Sequence, residues 1–321
     1  MKKCVALVLA ITMVIMLAGC RIVYPGESLD EQLYSVNDEG VIPNIYTDNE
    51  DGTSIIDVLT ILVNTKSFEN WLAVAKCEYA NEDLLMQVAK NAKYNTGTGM
   101  AEALLANPNT TEAVLKTLVD ESMEEFVIVI NNSDRVNRSN LLAVAAYEDA
   151  SEEILLIIAK DARVRKDSEL AEALLKNPAI TGLVVNELAT SMDKTTLECI
   201  ANSDKATENA LKIIAEKVVY GKDDKIAKDI VKNVNTTGEV MEILAELRII
   251  SSVVASSDKS NEATLLNVAR YAIGCKDKTL VELIITNPNV TDTVLEEIAE
   301  SDSEEIANMA HAAIEAMNET E

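Results

Sequence analysis

From residue 55 onward, apolar side chains recur at intervals of three and four, the spacing of a helix with one buried face. Thr111 serves as a landmark, with equivalent positions at Ser67, Asn81, Asn137, Ser151, Thr181, Thr207, Thr237, Asn261 and Thr291. Each of these side chains can accept a hydrogen bond from the free N–H groups of a first helical turn. Six of the ten are followed at once by Glu or Asp, which suits the positive end of a helix dipole. Four residues on come Trp71, Leu85, Leu115, Leu141, Leu155, Val185, Leu211, Met241, Leu265 and Leu295. The seventh residue on is always Val, Leu or Ile, and the eighth is Ala in nine of ten copies, with Val119 the exception. The pattern predicts one apolar helix face per copy, with a small residue where a neighbouring backbone comes close.

Upstream of the cap stand Asn107-Pro108, Asn177-Pro178 and Asn287-Pro288, or a Ser-Asp pair such as Ser133-Asp134, Ser203-Asp204 and Ser257-Asp258. Proline ends the preceding helix, because it cannot donate an N–H and disfavours helical geometry before it. Ser-Asp can close a turn through its side chains. The unit therefore reads as short helix, turn, cap, longer helix. A larger duplication accompanies it: LAVAKCEYANEDLL at 72–85 matches LAVAAYEDASEEIL at 142–155, a displacement of 70 residues. One helix pair cannot bury its apolar face alone, whereas stacked pairs share a core. The expected fold is all-α, a right-handed α-solenoid of stacked short helical repeats over residues 55–318, with 319–321 as a tail.

The unit resembles the variant leucine-rich repeat family, most clearly in ANPNTTEAVLKTLVD (106–120) and TNPNVTDTVLEEIAESD (286–302). Landmark steps of 14, 24, 26 and 30 residues depart from that family's regular period, and HEAT-like repeats are the second resemblance. Either implies stacked helices and no fixed reaction.

The first residues, MKKCVALVLAITMVIMLAGC, change the picture from fold to address. Lys2 and Lys3 precede an apolar run too short for a comfortable membrane span, and small residues lead into Cys20. This resembles the lipobox of bacterial lipoproteins. The resemblance implies a signal peptide over 1–19 and a Cys20 that carries diacylglycerol and palmitate-type acyl chains on the extracytoplasmic face of the cell membrane. Residues 21–54 hold eight acids against one Arg without a sustained period, and 20–54 is expected to be a disordered acidic tether.

The chain has 54 acidic and 28 basic side chains, a net charge of −26. Such a surface repels nucleic acid, so a nucleic-acid partner is not expected and membrane attachment is left to the lipid. Past Cys20 the cysteines are Cys77, Cys199 and Cys275, too few and too scattered for a disulfide framework or a zinc site. Cys199 reads as core and Cys275 as an exposed thiol. TDNEDG lacks the acids of a calcium loop at its ends, with Thr47 and Val58 in those places. NTGTGMAEAL has Glu102 where a dinucleotide loop needs its third glycine. His311 is the only histidine, and Glu152-Glu153 and Glu296-Glu297 fall on first turns or exposed helix faces. No enzyme, cofactor or metal site is expected.

One distribution stands above this background. The steps of about 30 residues contain KYNTGTG (93–99), RVRKDSE (163–169), VYGKDDK (219–225) and AIGCKDK (272–278), read as matching loops. They gather Lys93, Arg163, Arg165, Lys166, Lys222, Lys225, Lys276 and Lys278 as candidate partner-binding residues on one edge of the stack. The functional expectation is a lipid-anchored, non-catalytic scaffold for a protein or peptide partner. The alternative is a structural or adhesive envelope component, or a spacer, with no discrete ligand.

Overall fold

The computed structural model describes residues 55–65, 67–93, 95, 99–119 and 138–318. The expected signal peptide, Cys20, the acidic tether, Asn137 and the tail 319–321 lie outside the described residues. Among the described residues every regular element is a helix.

α1 (Ile55–Val63) leads into eight helix pairs. The first three pairs are α2 (Phe68–Ala75) with α3 (Glu82–Ala92), α4 (Met100–Ala106) with α5 (Glu112–Val119), and α6 (Arg138–Ala145) with α7 (Glu152–Arg165). Next come α8 (Ser168–Lys176) with α9 (Gly182–Ala189), α10 (Lys194–Ala201) with α11 (Glu208–Gly221), and α12 (Asp224–Lys232) with α13 (Gly238–Leu244). A 3₁₀ turn (Arg248–Ile250) and α14 (Ser251–Ala255) pair with α15 (Glu262–Cys275), and α16 (Lys278–Ile285) pairs with α17 (Asp292–Ala299). α18 (Glu304–Asn318) follows.

In six pairs the second helix begins fourteen residues after the first, as in 68 to 82 and 278 to 292, and in a seventh Glu262 lies fourteen past the start of the 3₁₀ turn at Arg248. This register corrects the landmark series. Ser67 caps a first helix, α2, while Asn81 caps its partner α3, so the ten landmarks mix two kinds of helix. Other first helices start from an acid instead: Asp193, Asp223 and Asp277 accept from the N–H three residues on. The carboxylate suits the helix dipole there.

Second helices alternate in length. α7, α11 and α15 have 14 residues, whereas α5, α9 and α17 have 8. The larger period is thus two pairs, 56 residues from Glu152 to Glu208 and 54 from Glu208 to Glu262. The 70-residue displacement between Glu82 and Glu152 spans the same two pairs, with the surplus falling at 120–137, outside the described residues.

The described residues form two compact units, one ending at Ile158 and including 177–179, the other made of Ala159–Lys176 and the residues from Ile180 on. In the first unit α2 packs on α4, α4 on α6, and α3 on α5. In the second, α8, α10, α12, α14 and α16 pack in series, and so do α9, α11, α13, α15 and α17. First helices stack on first helices and second on second. The alanine column lies inside these contacts: Ala89, Ala159, Ala189, Ala215, Ala245 and Ala269 are fully buried. The large apolar residues beside them are buried too, each worth about 1.5–3 kcal/mol. At the start of the first unit, Trp71 donates its indole N–H to Thr65 O at 2.8 Å, fixing α1 against α2.

Candidate functional site

Most polar groups at the pair junctions serve the stack itself. Asn107 Nδ2 donates to Ala75 O at 2.7 Å and Cys77 O at 2.9 Å in the preceding pair, while its Oδ1 accepts from Asn109 N. Asn177, Asn233 and Asn287 repeat the arrangement on Ala145 and Tyr147, Ala201 and Ser203, and Ala255 and Ser257. Ala75, Ala145, Ala201 and Ala255 end first helices, and their carbonyls have no intrahelical partner, while the second carbonyl of each couple lies in the turn and also accepts from a backbone N–H three residues on. Asn-Pro is thus more than a helix stop, since the amide staples one pair to the next. Asn233 does so with Val234 after it, so proline is dispensable to the staple. In the junction from α12 to α14 the Lys259 ammonium takes this role, donating to Val231 O at 3.1 Å and to Asn233 O.

The cap hydroxyls are divided in the same way. Ser67, Asn81, Thr207 and Asn261 cap their own helices, but the hydroxyls of Thr181, Thr237 and Thr291 do not. Instead Thr237 Oγ1 donates to Glu208 and Thr291 Oγ1 to Glu262, each on the second helix one pair back. Thr111 Oγ1 does both, donating to Glu82 at 2.7 Å and accepting from Val114 N at 3.4 Å.

The basic segments differ from the expectation. RVRKDSE, VYGKDDK and AIGCKDK are largely helical, because α7, α11 and α15 run on to Arg165, Gly221 and Cys275. What remains is a tight Lys-Asp turn at 166–167, 222–223 and 276–277. Lys166, Lys222 and Lys276 adopt left-handed backbone geometry, with φ of 57°, 56° and 55°. The N–H of the following Asp returns to Ala162 O, Val218 O and Ala272 O at 2.9, 3.1 and 2.9 Å, a Schellman closure. Asp167, Asp223 and Asp277 then cap the next helix through Oδ1.

The predicted cations separate accordingly. Lys93 is buried, 9% exposed at the end of α3, and does not belong to an exposed edge. Arg163 pairs with Glu187 at 2.9 Å, Arg165 with Asp161 on its own helix, Lys225 with Glu198 at 2.6 Å, and Lys278 with Glu305. Lys166, Lys222 and Lys276 are exposed and have no ion-pair partner among the described residues. Two residues before the first two of them lie Val164, 53% exposed, and Tyr220, 92% exposed. These apolar members escape a reading of the sequence by charge, although their fixed offset from the lysine is there to find.

The electrostatics of the turns follow from these contacts. The Lys194 ammonium beside Asp223 holds that carboxyl below its usual range, with its cap bond to Ile226 adding to the effect. Burial pushes the Lys217 ammonium down, and Arg163 nearby does the same. Lys217 still donates to Ala189 O and Ser191 O at 2.9 and 2.7 Å.

Other candidates resolve more simply. Cys199, expected in the core, is half-exposed on α10, and burial pushes its thiol up. Cys77 is buried, and Cys275 is exposed, as its polar context predicted. A cleft of about 350 Å³ in the first unit is lined by Pro108, Thr111, Glu112, Tyr147, Asp149 and Ser151, with Ser151 already bonded to Glu112. Among the described residues no His, Cys, Asp and Glu group of three is placed to hold a metal ion. No helix among them is long and apolar enough to cross a membrane. Comparison with protein-family models, curated proteins and solved structures gives no match to the chain.

Proposed function

We propose that the chain is a lipid-anchored, extracytoplasmic helical-repeat scaffold of a bacterial envelope that binds a protein or peptide partner without catalysing a reaction. The observation that carries this reading is the recurrent turn after the long second helices. In the second unit it presents an exposed lysine without an ion-pair partner at three equivalent places, with a large exposed apolar side chain beside two of them. A stack that consumes its junction polar groups in staples leaves such turns free to meet other molecules. The LAGC sequence ending at Cys20 supports attachment through lipid, and the variant leucine-rich repeat resemblance supports a binding rather than a catalytic role.

Two measurements test the reading. Metabolic labelling with a palmitate analogue should mark the full chain and should vanish in Cys20→Ala; labelling that persists rejects the anchor. A photo-crosslinking residue placed at Tyr220 in cells should yield one adduct of discrete mass, absent when the same group replaces exposed Glu282. No adduct from position 220 would favour the spacer reading over the scaffold.

A further inference from the structure

The geometry points to Lys166, Lys222 and Lys276, with Val164 and Tyr220, as a docking row for an extended acidic segment of a partner protein. The inference rests on the scaffold reading and names the surface and the chemistry of its partner.

The backbone supplies the first argument. A Schellman turn ordinarily places Gly or Asn at the left-handed position, because a Cβ crowds the following carbonyl there. All three turns of the second unit carry Lys instead, at φ of 57°, 56° and 55°. A residue that fits its turn poorly, used three times over, calls for a reason in its side chain.

Pairing within the molecule supplies no such reason. The other cations of these turns are taken up by Glu187, Asp161, Glu198 and Glu305, whereas these three have no ion-pair partner among the described residues. The adjacent Asp167, Asp223 and Asp277 direct Oδ1 at the N–H groups of their own helices, and Asp223 also holds Lys194. Attraction to the helix dipole would favour a lysine anywhere in the last turn. It does not favour the left-handed site over the helical positions before it.

The form of the partner follows from spacing. One short second helix stands between the long helices that carry successive lysines, and packed helices lie 8–10 Å apart, so two such steps put the turns roughly 16–20 Å from one another. An extended chain rises about 3.3 Å per residue, which places one acid in roughly every six. Val164 and Tyr220, 53% and 92% exposed, offer apolar seats beside two of those charges. A dense polyanion matches neither this sparse charge nor the apolar seats, and the net charge of −26 repels it.

The test uses the full chain and a fluorescein-labelled 16-residue peptide with Glu at every sixth position and Leu and Thr between. Fluorescence anisotropy should show binding that weakens with salt and falls at least tenfold in the triple variant K166N/K222N/K276N. Because Asn tolerates left-handed geometry, the melting temperature of that variant should stay level or rise when measured in enough sodium chloride to screen the added negative charge. Equal binding by variant and parent overturns the row, and so does a lower melting temperature, which makes the lysines structural. Polyphosphate that displaces the peptide at equal charge concentration assigns the row to a polyanion and rejects the proposal. Self-association lost in the variant assigns the row to a second copy and likewise rejects it. A Tyr220 crosslink that survives in the variant removes this inference and leaves the scaffold reading standing.

Discussion

At the scale of single residues, the junctions depend on amides whose every polar atom is engaged. Asn233 has two donors on Ala201 O and Ser203 O and an acceptor on Asn235 N, at 2.7, 2.8 and 2.9 Å. Alanine there strands Ala201 O at a buried helix end, while Ser203 O keeps the N–H of Ala206, and a stranded buried group costs about 1–3 kcal/mol. Aspartate keeps the volume and the acceptor but replaces the donors with a charge that faces both carbonyls. Urea denaturation should therefore rank Asn233→Asp below Asn233→Ala, and both below the parent, at pH 7. Equal stability of the three would show that water can satisfy these carbonyls and that the staple is incidental. The sequence displays this device only in part. Asn-Pro draws attention as a helix stop, while the telling signal is Asn-x-Asn at 107 and 109, 233 and 235, and 287 and 289. The second asparagine donates across the same junction, as Asn235 does to Asp204 O and Ala206 O.

At the scale of elements, the alternation of long and short second helices sets how closely the pairs approach. Gly182 and Gly238 open short helices where other copies have Glu or Asp, and the next second helix begins only 26 and 24 residues later. A Cβ on Gly238 would lie 2.7 Å from Asn261 Nδ2, and one on Gly182 would lie 3.2 Å from Thr207 Cγ2. Gly274, on α15, meets nothing within 4 Å. Gly238→Ala should thus cost about 1–3 kcal/mol by overpacking, whereas Gly274→Ala should add roughly 0.5–1 kcal/mol through helix propensity. Opposite shifts of the urea midpoint are the expected outcome, and shifts of one sign would refute the packing argument. The apolar period makes the second helices and their caps legible in the sequence. First helices are less so, since their caps are often Asp and fall outside a series drawn for Ser, Thr and Asn. The ends of the long helices look like loops because Lys, Gly and Asp dominate them. A fourth rung of the stripe reveals them as helix: eleven residues past the cap stand Ala92, Ala162, Val218 and Ala272, all buried. In the short copies that place holds Met192, Arg248 or Asp302, none of them buried. The candidate site is half legible for the same reason. Its lysines stand out by charge, but their left-handed backbone, and the pairing that silences their neighbours, arise only once the helices are folded.

At the scale of the whole molecule, the balance lies between exposed ion pairs and an excess of acid. Asp223, Glu208 and Glu297 are held below the usual carboxylate range by hydrogen bonds from Lys194, Lys212 and Arg270. A depressed carboxylate adds stability that is present above its unfolded pKa and is lost as pH falls through the folded one. The ammonium groups of Lys194, Lys212 and Lys225 are raised by hydrogen bonds to Asp223, to Glu239 and Glu208, and to Glu198, so their share is present below about 10.5 and is lost only as pH rises through the folded value. Between roughly pH 5 and 10 these pairs are therefore constant. What varies toward the acid side is the repulsion of a chain with net charge −26 at pH 7 and a pI near 4.4. That repulsion weakens as the unpaired acids take up protons. The melting temperature should rise as pH falls from about 8 to about 5, and then drop below about 4 as the paired carboxylates protonate. Salt at pH 7 discriminates the two contributions directly. Exposed pairs are individually weak, and the repulsion involves every unpaired acid, so screening should remove more cost than benefit. Added sodium chloride is expected to raise the melting temperature; a fall would place the ion pairs above the repulsion and invert the predicted dependence on pH.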